Sequence, residues 1–438
     1  SSGSGGSGGG TGGGSDAATG GSDGGGNCPT GFAECDSDPK TVCETDLSLV
    51  TSCGSCTNAC NGANGTVACQ AGKCVITGCA AGNGNCDNDP SNGCEQPILS
   101  NDKHCGECGR DCAAAGTTCS VDRCKEVVVQ SGLPFGTDGG GTRTWAVGNG
   151  AFFHVNYFNY NVRRIPMDGS PLSVVWSATS ASAGYNSLLA NNTHVTWVQR
   201  GTPSVVLQKA HTASATTNPT VLFTPQYQPY FLQISGTAYY WMSGDYQSGD
   251  TVGHVFTRSV NAASTDPGTA IVTVNQGIHG AVTNFHAGAS ALYWYTTAVT
   301  PGEVRTTPLA GGTPTVVPTG TIASGYANDN VTLRTVGNVL YYNQEVGTAF
   351  ANGIYKWAPA DTAGTQLVVH EGVRDFVVDA NSIYYVDGGN KTYKAPLAGG
   401  AGVEIASVGG LRIIHQDTDS IYVIKSTCCL TTIYRILK

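Results

Sequence analysis

The sequence predicts an all-β protein, a seven-bladed β-propeller preceded by two small disulfide-rich modules and a disordered Gly/Ser tether. Three observations lead to this prediction. An aromatic strand that follows an apolar strand recurs seven times after residue 125. The sixteen cysteines between Cys28 and Cys124 fall into two copies of one spacing. The first 27 residues contain no large apolar side chain.

The tether, residues 1–27, is built from Gly, Ser, Thr, Ala, Asp and Asn. It has nothing to bury and is therefore predicted to be flexible. It resembles the Gly/Ser segment that follows the lipidated cysteine of bacterial surface lipoproteins. The resemblance implies a possible lipid anchor preceding Ser1, and a plain secreted protein is the alternative.

Two cysteine-rich modules follow at 28–78 and 79–124. Their cysteine steps are 7, 8, 10, 3, 4, 9, 5 and 7, 8, 11, 3, 4, 7, 5. Modules this small cannot be held by an apolar core, so disulfides are expected, and the sequence leaves 105 pairings open in each. Zinc binding or redox chemistry at the two CxxC pairs is the alternative. The cysteines concerned are Cys28, Cys35, Cys43, Cys53, Cys56, Cys60, Cys69, Cys74, Cys79, Cys86, Cys94, Cys105, Cys108, Cys112, Cys119 and Cys124.

An acidic segment lies at the same place in both modules. Oxygen-rich segments with a downstream Glu suit calcium, whereas Asp-Pro and Asn-Gly pairs form solvated turns without a metal. Calcium is thus the one cofactor considered, and no other is predicted. The candidate ligands are Asp36, Asp38, Glu44, Asp87, Asp89 and Glu95.

The modules resemble tandem cysteine-rich modules of exported proteins from myxobacteria and their relatives. The resemblance is carried by Cys28-Pro29-Thr30-Gly31-Phe32, by Cys53-Gly54-Ser55-Cys56 and by Cys69-Gln70-Ala71-Gly72-Lys73-Cys74. The second copy keeps the spacing but lacks the opening CPxGF. Together with the disulfides, this resemblance implies an oxidising compartment, extracellular or at the outer cell surface.

The propeller is predicted over 125–438. The aromatic strands are 44, 44, 53, 48, 43 and 38 residues apart, which is the length of a four-stranded blade. One copy reads as strands at 382–386, 391–396 and 403–406. The last copy lacks a fourth strand, which residues 126–130 are predicted to supply, closing the ring without an exposed edge. A six-bladed ring with one aberrant copy is the alternative.

The propeller half resembles YWTD-type repeats. Leu292-Tyr293-Trp294, Tyr240-Trp241 and Ile383-Tyr384-Tyr385-Val386-Asp387 carry the resemblance. That family usually has six blades, and only one copy here has the closing Asp. The resemblance therefore implies the fold and no catalytic residue.

Charge excludes one class of partner. Residues 1–124 carry 14 acids and 5 bases, while 125–438 carry 17 of each. Without a basic patch, nucleic acid is not an expected partner. No apolar run is long enough for a transmembrane segment.

Binding is predicted on the face where the loops between second and third strands and between blades emerge. These loops are long and aromatic, and exposed rings beside polar groups suit a polysaccharide or a surface protein. The alternative is that the rings hold their own loops in place. The candidate ligand-binding residues are Tyr157, Phe158, Tyr160, Tyr185, Tyr227, Tyr230, Tyr246 and Tyr326.

Two adjacent cysteines, Cys428 and Cys429, are predicted to form a vicinal disulfide in the last of these loops, with free thiols or intermolecular bridges as the alternative.

The predicted function is binding or adhesion without enzyme chemistry. Two alternatives stay open: a secreted carbohydrate-active lyase or hydrolase, and a structural subunit of a surface fibre or coat. The histidines show no hydrolase or metalloprotease motif. A catalytic site would have to be assembled across blades, from His279, His370, Arg374 and Asp329. The oligomeric state is left undetermined.

Overall fold

The computed structural model describes residues 28–36, 38, 40–133, 145–156, 161–177, 185–244, 253–274, 282–296, 302–319, 331–344, 352–408, 412–427 and 430–438. The regular elements over these ranges are all β-strands. None of the residues described forms a helix with the length and apolarity needed to cross a membrane.

Eight short strands form four hairpins in the cysteine-rich region. They pair in chain order, β1 with β2, β3 with β4, β5 with β6 and β7 with β8. Their bounds are β1 Phe32–Ala33, β2 Thr45–Asp46, β3 Gly65–Gln70, β4 Lys73–Cys79, β5 Asn83–Gly84, β6 Gln96–Pro97, β7 Cys119–Ser120 and β8 Arg123–Cys124.

Eight disulfides hold this region together, as predicted. In each module the first cysteine pairs with the third, the second with the fifth, the fourth with the seventh and the sixth with the eighth. The same order in both copies selects one of the 105 pairings that the sequence left open. The bonds are Cys28–Cys43, Cys35–Cys56, Cys53–Cys69, Cys60–Cys74, Cys79–Cys94, Cys86–Cys108, Cys105–Cys119 and Cys112–Cys124.

The glycine of each CGxC motif has a steric reason. Gly54 has φ +74° and Gly106 has φ +77°, a conformation that other residues rarely adopt. A Cβ on Gly54 would overlap the carbonyl of Gly72, and one on Gly106 would overlap that of Asp122. The glycine thus lets the hairpin that carries the last two cysteines of the module approach the motif.

The remaining strands form seven four-stranded antiparallel sheets, each in chain order except the last, β34-β35-β36-β9. The strands of blades one to three are β10 Trp145–Gly148, β11 Ala151–Asn156, β12 Asn161–Pro166, β13 Ser173–Ser177, β14 Tyr185–Ala190, β15 His194–Gln199, β16 Val205–Ala210, β17 Thr220–Phe223, β18 Pro229–Ser235, β19 Ala238–Gly244, β20 Gly253–Ser259 and β21 Thr269–Val274. Those of blades four to seven are β22 Val282–Ala287, β23 Ala291–Thr296, β24 Glu303–Pro308, β25 Thr315–Val316, β26 Leu333–Val336, β27 Val339–Gln344, β28 Gly353–Trp357, β29 Thr365–Val369, β30 Val373–Val378, β31 Ser382–Asp387, β32 Thr392–Pro396, β33 Val403–Ala406, β34 Arg412–Gln416, β35 Ser420–Thr427, β36 Leu430–Leu437 and β9 Val127–Leu133.

The sheets close into a ring of seven blades. The first strand of each blade contacts the first strands of its neighbours, and β34 contacts β10. Strand β9 supplies the fourth strand of the last sheet, with Val127 opposite Arg435 and Val128 opposite Tyr434. The seven-bladed prediction is confirmed, and the six-bladed alternative is wrong because all seven copies form complete sheets.

A separate apolar core lies between each pair of neighbouring blades. Successive side chains of a strand point to opposite sides of the sheet, so each second strand contributes to two cores. In the third blade, Trp241 packs with Phe223 of the second blade, whereas Met242 packs with Phe285 of the fourth. The aromatic second strands therefore supply side chains to the apolar cores between the blades.

The second module is divided between two compact units. One unit extends to Ile98 and includes Glu107–Gly109; the other comprises Leu99–Gly106 and Arg110–Lys438. The disulfides Cys105–Cys119 and Cys112–Cys124 lie wholly in the second unit. The C-terminal half of module two, Leu99–Gly106 with Arg110–Cys124, is thus one body with the propeller.

The turns between third and fourth strands, which segments such as Ala310-Gly311-Gly312 predict to be short, are longer in two blades. Those of the second and third blades, 211–219 and 260–268, have nine residues each. Each encloses a cation that binds its carbonyl groups. Lys209 donates to the carbonyls of Ala215 and Thr217, and Arg258 donates to carbonyls of the 260–268 turn.

Candidate binding face

The antiparallel order of each blade defines two ends of the propeller. The second and fourth strands of a blade run in the same direction, so the loops that follow them emerge at the same end. We call this end the loop face; its described segments include 200–204, 224–228, 370–372 and 388–391. The opposite end, with the turns between first and second and between third and fourth strands, is the turn face.

Tyr227 lies on the loop face between β17 and β18. Its ring packs on the core between the second and third blades and lies 6.1 Å from the ring of Phe256. The amide of Gln226 donates to its hydroxyl at 3.2 Å. One side of the ring is therefore used for packing, and the half-buried remainder faces outward beside an exposed amide.

Tyr230 is also half-buried, but it lies in β18 and not in a loop, which corrects the prediction. The strand begins early because a bulge between Tyr230 and Gln233, with Phe231 at φ +56°, continues the pairing past the expected loop end. The amide of Gln228 donates to the Tyr230 hydroxyl at 3.0 Å. The guanidinium carbon of Arg200, from the 200–204 loop, lies 5.6 Å from the ring centre.

Of the other predicted aromatic residues, Tyr185 has a described backbone. Tyr185 begins strand β14 and is not in a loop, because a bulge after Asn186 again extends the pairing. The structure therefore places Arg200, a residue that sequence reasoning missed, beside Tyr230. Tyr227 packs on the core between the second and third blades, and Tyr230 on the core between the third and fourth. The candidates outside the described residues are Tyr157, Phe158, Tyr160, Tyr246, Tyr326, Cys428 and Cys429.

A second polar cluster lies on the loop face of the sixth blade. Asp387 Oδ2 is 3.3 Å from His370 Nε2 and accepts a hydrogen bond of 3.1 Å from the Tyr393 hydroxyl. The His370 ring packs against the rings of Tyr385 and Tyr393. Burial, followed by the hydrogen bond to Asp387, raises the pKa of Tyr393.

Of the four residues named for a catalytic site, His370 belongs to this cluster. Arg374 lies beside it: its Nε is 3.4 Å from the position that a Cβ would take on Gly388, the residue after Asp387. His279 and Asp329 are outside the described residues. The sequence signal that could have located the cluster is Asp387, the closing residue of the YYVD segment.

The acidic segments form the same hydrogen-bonded turns in both modules. Glu44 accepts the N–H of Cys35 and Glu95 that of Cys86, each at 2.9 Å. Backbone hydrogen bonds lower the pKa of Glu44.

Asp36 and Asp87 accept the N–H groups of Asp38 and Asp89 in the same way. In module one, carboxylate oxygens of Glu34, Asp36 and Glu44 lie within 4.8 Å of one another. Calcium binding stays a prediction.

The C-terminal half of module two contacts the outer side of the sixth and seventh blades. Leu437 packs against the cysteines of the C-terminal half of module two, and its carbonyl accepts a 3.4 Å hydrogen bond from Arg110. Arg435 donates to the carbonyl of Ala115. Arg123 pairs with Glu404 of the sixth blade at 2.9 Å. Arg123 also donates to Ser407, which follows β33 on the loop face, whereas segments 200–204 and 224–228 of the loop face belong to the second and third blades.

Fold and disulfides together define a class, the disulfide-stabilised seven-bladed β-propeller proteins. No protein-family model matches this chain, and no curated protein matches it. Solved propellers are similar at the level of the fold.

YCF48 bound to D1 peptide has 12% identity and a TM-score of 0.46, covering 70% of this chain and 96% of that one. BamB from Moraxella catarrhalis has 11% identity and a TM-score of 0.41, covering 66% and 84%. The gluconolactonase XC5397 from Xanthomonas campestris has 12% identity and a TM-score of 0.35, covering 72% and 90%. Similarities this remote indicate no ligand.

Proposed function

We propose that this protein is an exported binding protein that uses the loop face of its propeller to bind an extracellular polysaccharide. The observation that carries the proposal is that Tyr227 and Tyr230, both half-buried, each lie beside a side-chain amide, that of Gln226 and that of Gln228 respectively. Sugars are bound by aromatic rings that stack on their apolar faces and by amides that bond their hydroxyls. A surface protein is the alternative ligand.

The compartment supports an extracellular ligand. Eight disulfides indicate an oxidising environment outside the cytosol. The C-terminal half of module two contacts the sixth and seventh blades, whereas Tyr227 and Tyr230 lie at the second and third blades. We propose that the tether holds the protein at the cell surface, with a lipid anchor preceding Ser1, as in the lipoproteins that the sequence resembles.

The test is a glycan-array screen of the full chain, followed by titration of any glycan that binds. We expect Tyr230→Ala and Tyr227→Ala each to weaken binding at least about fivefold, because each removes a stacking surface worth about 1–3 kcal/mol. Tyr230→Phe is the matched control, since it keeps the ring and removes only the hydroxyl. Unchanged binding by both alanine variants would contradict the proposed site.

A secreted carbohydrate-active enzyme is the second candidate, because His370, Asp387 and Tyr393 form a hydrogen-bonded cluster that resembles an acid–base site. Mass spectrometry of the bound glycans distinguishes the two. Unchanged sugars support binding. Shortened or unsaturated sugars that disappear with His370→Ala support catalysis. Self-association in place of glycan binding would support a structural subunit.

A further inference from the structure

We infer that the Arg200–Tyr230 pair selects glycans that carry acidic groups, carboxylate or sulfate. This inference rests on the proposed function and names the ligand class of the same site. Arg200 belongs to the second blade and Tyr230 to the third, so the pair spans the boundary between two blades on the loop face.

The first step is the environment of Arg200. Three other propeller cations are engaged by protein oxygens: Lys209 by three carbonyls, Arg258 by the carbonyls of its turn and Arg305 by Glu303. Arg200 is exposed, and its contact among the described residues is the Tyr230 ring. A guanidinium over an aromatic ring keeps its N–H edge available for a second partner.

The second step is the charge of the surrounding chain. The 76 residues from Gly169 to Gly244 contain no Asp or Glu. They form the outer strand of the first blade, all of the second and half of the third. The stretch contains two Lys or Arg residues, Arg200 and Lys209. Lys209 is buried, and Arg200 is exposed. Asp245 and Asp250 follow in the 245–252 loop, outside the described residues.

The third step is the match to a ligand. A guanidinium binds carboxylate or sulfate through paired, charge-assisted hydrogen bonds. Tyr230 holds this group at the loop face, and Tyr227 offers a ring on which a sugar of the same chain can stack. An acidic polysaccharide satisfies both groups, whereas a neutral one leaves the guanidinium without an anion.

The experiment titrates the full chain with two matched pairs of polymers. Polygalacturonate is compared with its carboxyl-reduced form, and dextran sulfate with dextran. We expect at least one acidic member to bind at least tenfold more tightly than its neutral partner. Arg200→Gln should reduce that preference about tenfold and make binding less dependent on salt. Lys125→Gln, which removes an exposed charge beside Cys124, is the control and should bind as the wild type does.

The outcomes separate the two proposals. If Tyr230→Ala abolishes binding while Arg200→Gln keeps the preference for the acidic polymer, the inference about acidic groups is wrong and the proposed binding site stands. Equal affinity for both members of each pair also overturns the inference alone. If no glycan binds the wild-type chain, both proposals fail. Which of the two acidic polymers binds more tightly shows whether the site prefers carboxylate or sulfate.

Discussion

Arg123, on the last hairpin of module two, forms a 2.9 Å ion pair with Glu404 on the outer strand of the sixth blade. Arg123 also donates to Ser407, and Lys391 donates to the other oxygen of Glu404 at 2.7 Å. One carboxylate therefore joins the C-terminal half of module two to β33 and to the loop that precedes β32. The contact covers part of an outer strand that would otherwise be an exposed edge.

This ion pair is expected to contribute little stability by itself. Both side chains are partly exposed, and such pairs are worth about 0.2–1 kcal/mol. A double-mutant cycle with Arg123→Gln and Glu404→Gln, followed by thermal unfolding, should give a coupling energy in that range that shrinks in high salt. Strict additivity would contradict the ion pair.

The same pair predicts acid sensitivity. The hydrogen bond from Lys391, assisted by Ser407 and Arg123, lowers the pKa of Glu404. Its stabilising contribution is thus present above the ordinary value of 4.5 and is lost as pH falls through the lower, folded-state pKa. Glu404→Gln should remove this part of the acid response in unfolding measurements below about pH 4.5. An unchanged acid response in the variant would contradict the prediction.

Loss of the Cys112–Cys124 disulfide is expected to destabilise the propeller itself. The bond lies immediately before β9, and Leu437 at the end of β36 packs on it. All six tryptophans lie in the propeller, so tryptophan fluorescence reports its unfolding. We expect Cys112→Ser with Cys124→Ser to cost about 2–4 kcal/mol.

The control is the equivalent bond of module one. Cys60→Ser with Cys74→Ser removes the same sixth-to-eighth disulfide from the other compact unit. It should leave the fluorescence transition unchanged. Equal shifts in both double variants would contradict the specific role of the Cys112–Cys124 bond in closing the ring.

Two buried histidines predict a further loss of stability in mild acid. Desolvation lowers the pKa of His154 and of His286 to about 3, with a smaller contribution from Arg163 and Arg334 respectively. Because the folded values lie below the ordinary 6.5, the unfolded chain binds more protons between those limits. Stability is then complete above pH 6.5 and falls by up to roughly 1.4 kcal/mol per pH unit for each histidine.

The measurement is the free energy of unfolding at pH 7.5 and pH 5.0, a range above the titration of Glu404. His154→Gln and His286→Gln should each reduce the difference between the two values. A variant that is less stable at pH 7.5 but keeps the wild-type difference would show that its histidine does not cause the pH dependence.

Lys209 is expected to hold the first and second blades together. Its ammonium group donates to the carbonyls of Val175 in the first blade and Thr217 in the second, both at 2.7 Å. Lys209→Met would leave these acceptors without their charged donor, at a cost of about 2–3 kcal/mol in the free energy of unfolding. Lys356→Met, on the third strand of the fifth blade, should change it by less than about 0.5 kcal/mol. Similar losses in both variants would contradict the prediction.

Much of the fold could be predicted because its signals are local. Strand β33 was predicted with its observed bounds, and β31 differs by one residue. Strands β14 and β18 begin earlier than predicted, because bulges continue the pairing through residues whose sequence looks like a loop. Bulges depend on the neighbouring strand and therefore leave little trace in one segment.

The candidate site was predicted less completely. Tyr227 and Tyr230 were expected on the loop face, where the structure describes both. Arg200 was missed because it is 30 positions before Tyr230 and meets it only after two blades pack together. The His370–Asp387–Tyr393 cluster was missed for a similar reason, since its members come from three separate segments.

The sequence by itself determined the strand repeat of the propeller and the two cysteine modules, because strand period and cysteine spacing are local properties of the chain. The structure settled that all seven copies form blades. The tertiary structure decided which cysteines pair, how the second module is divided and which cation lies over which ring. Those relationships join residues that are distant in sequence, and they arise only when strands close into sheets and sheets pack into a ring.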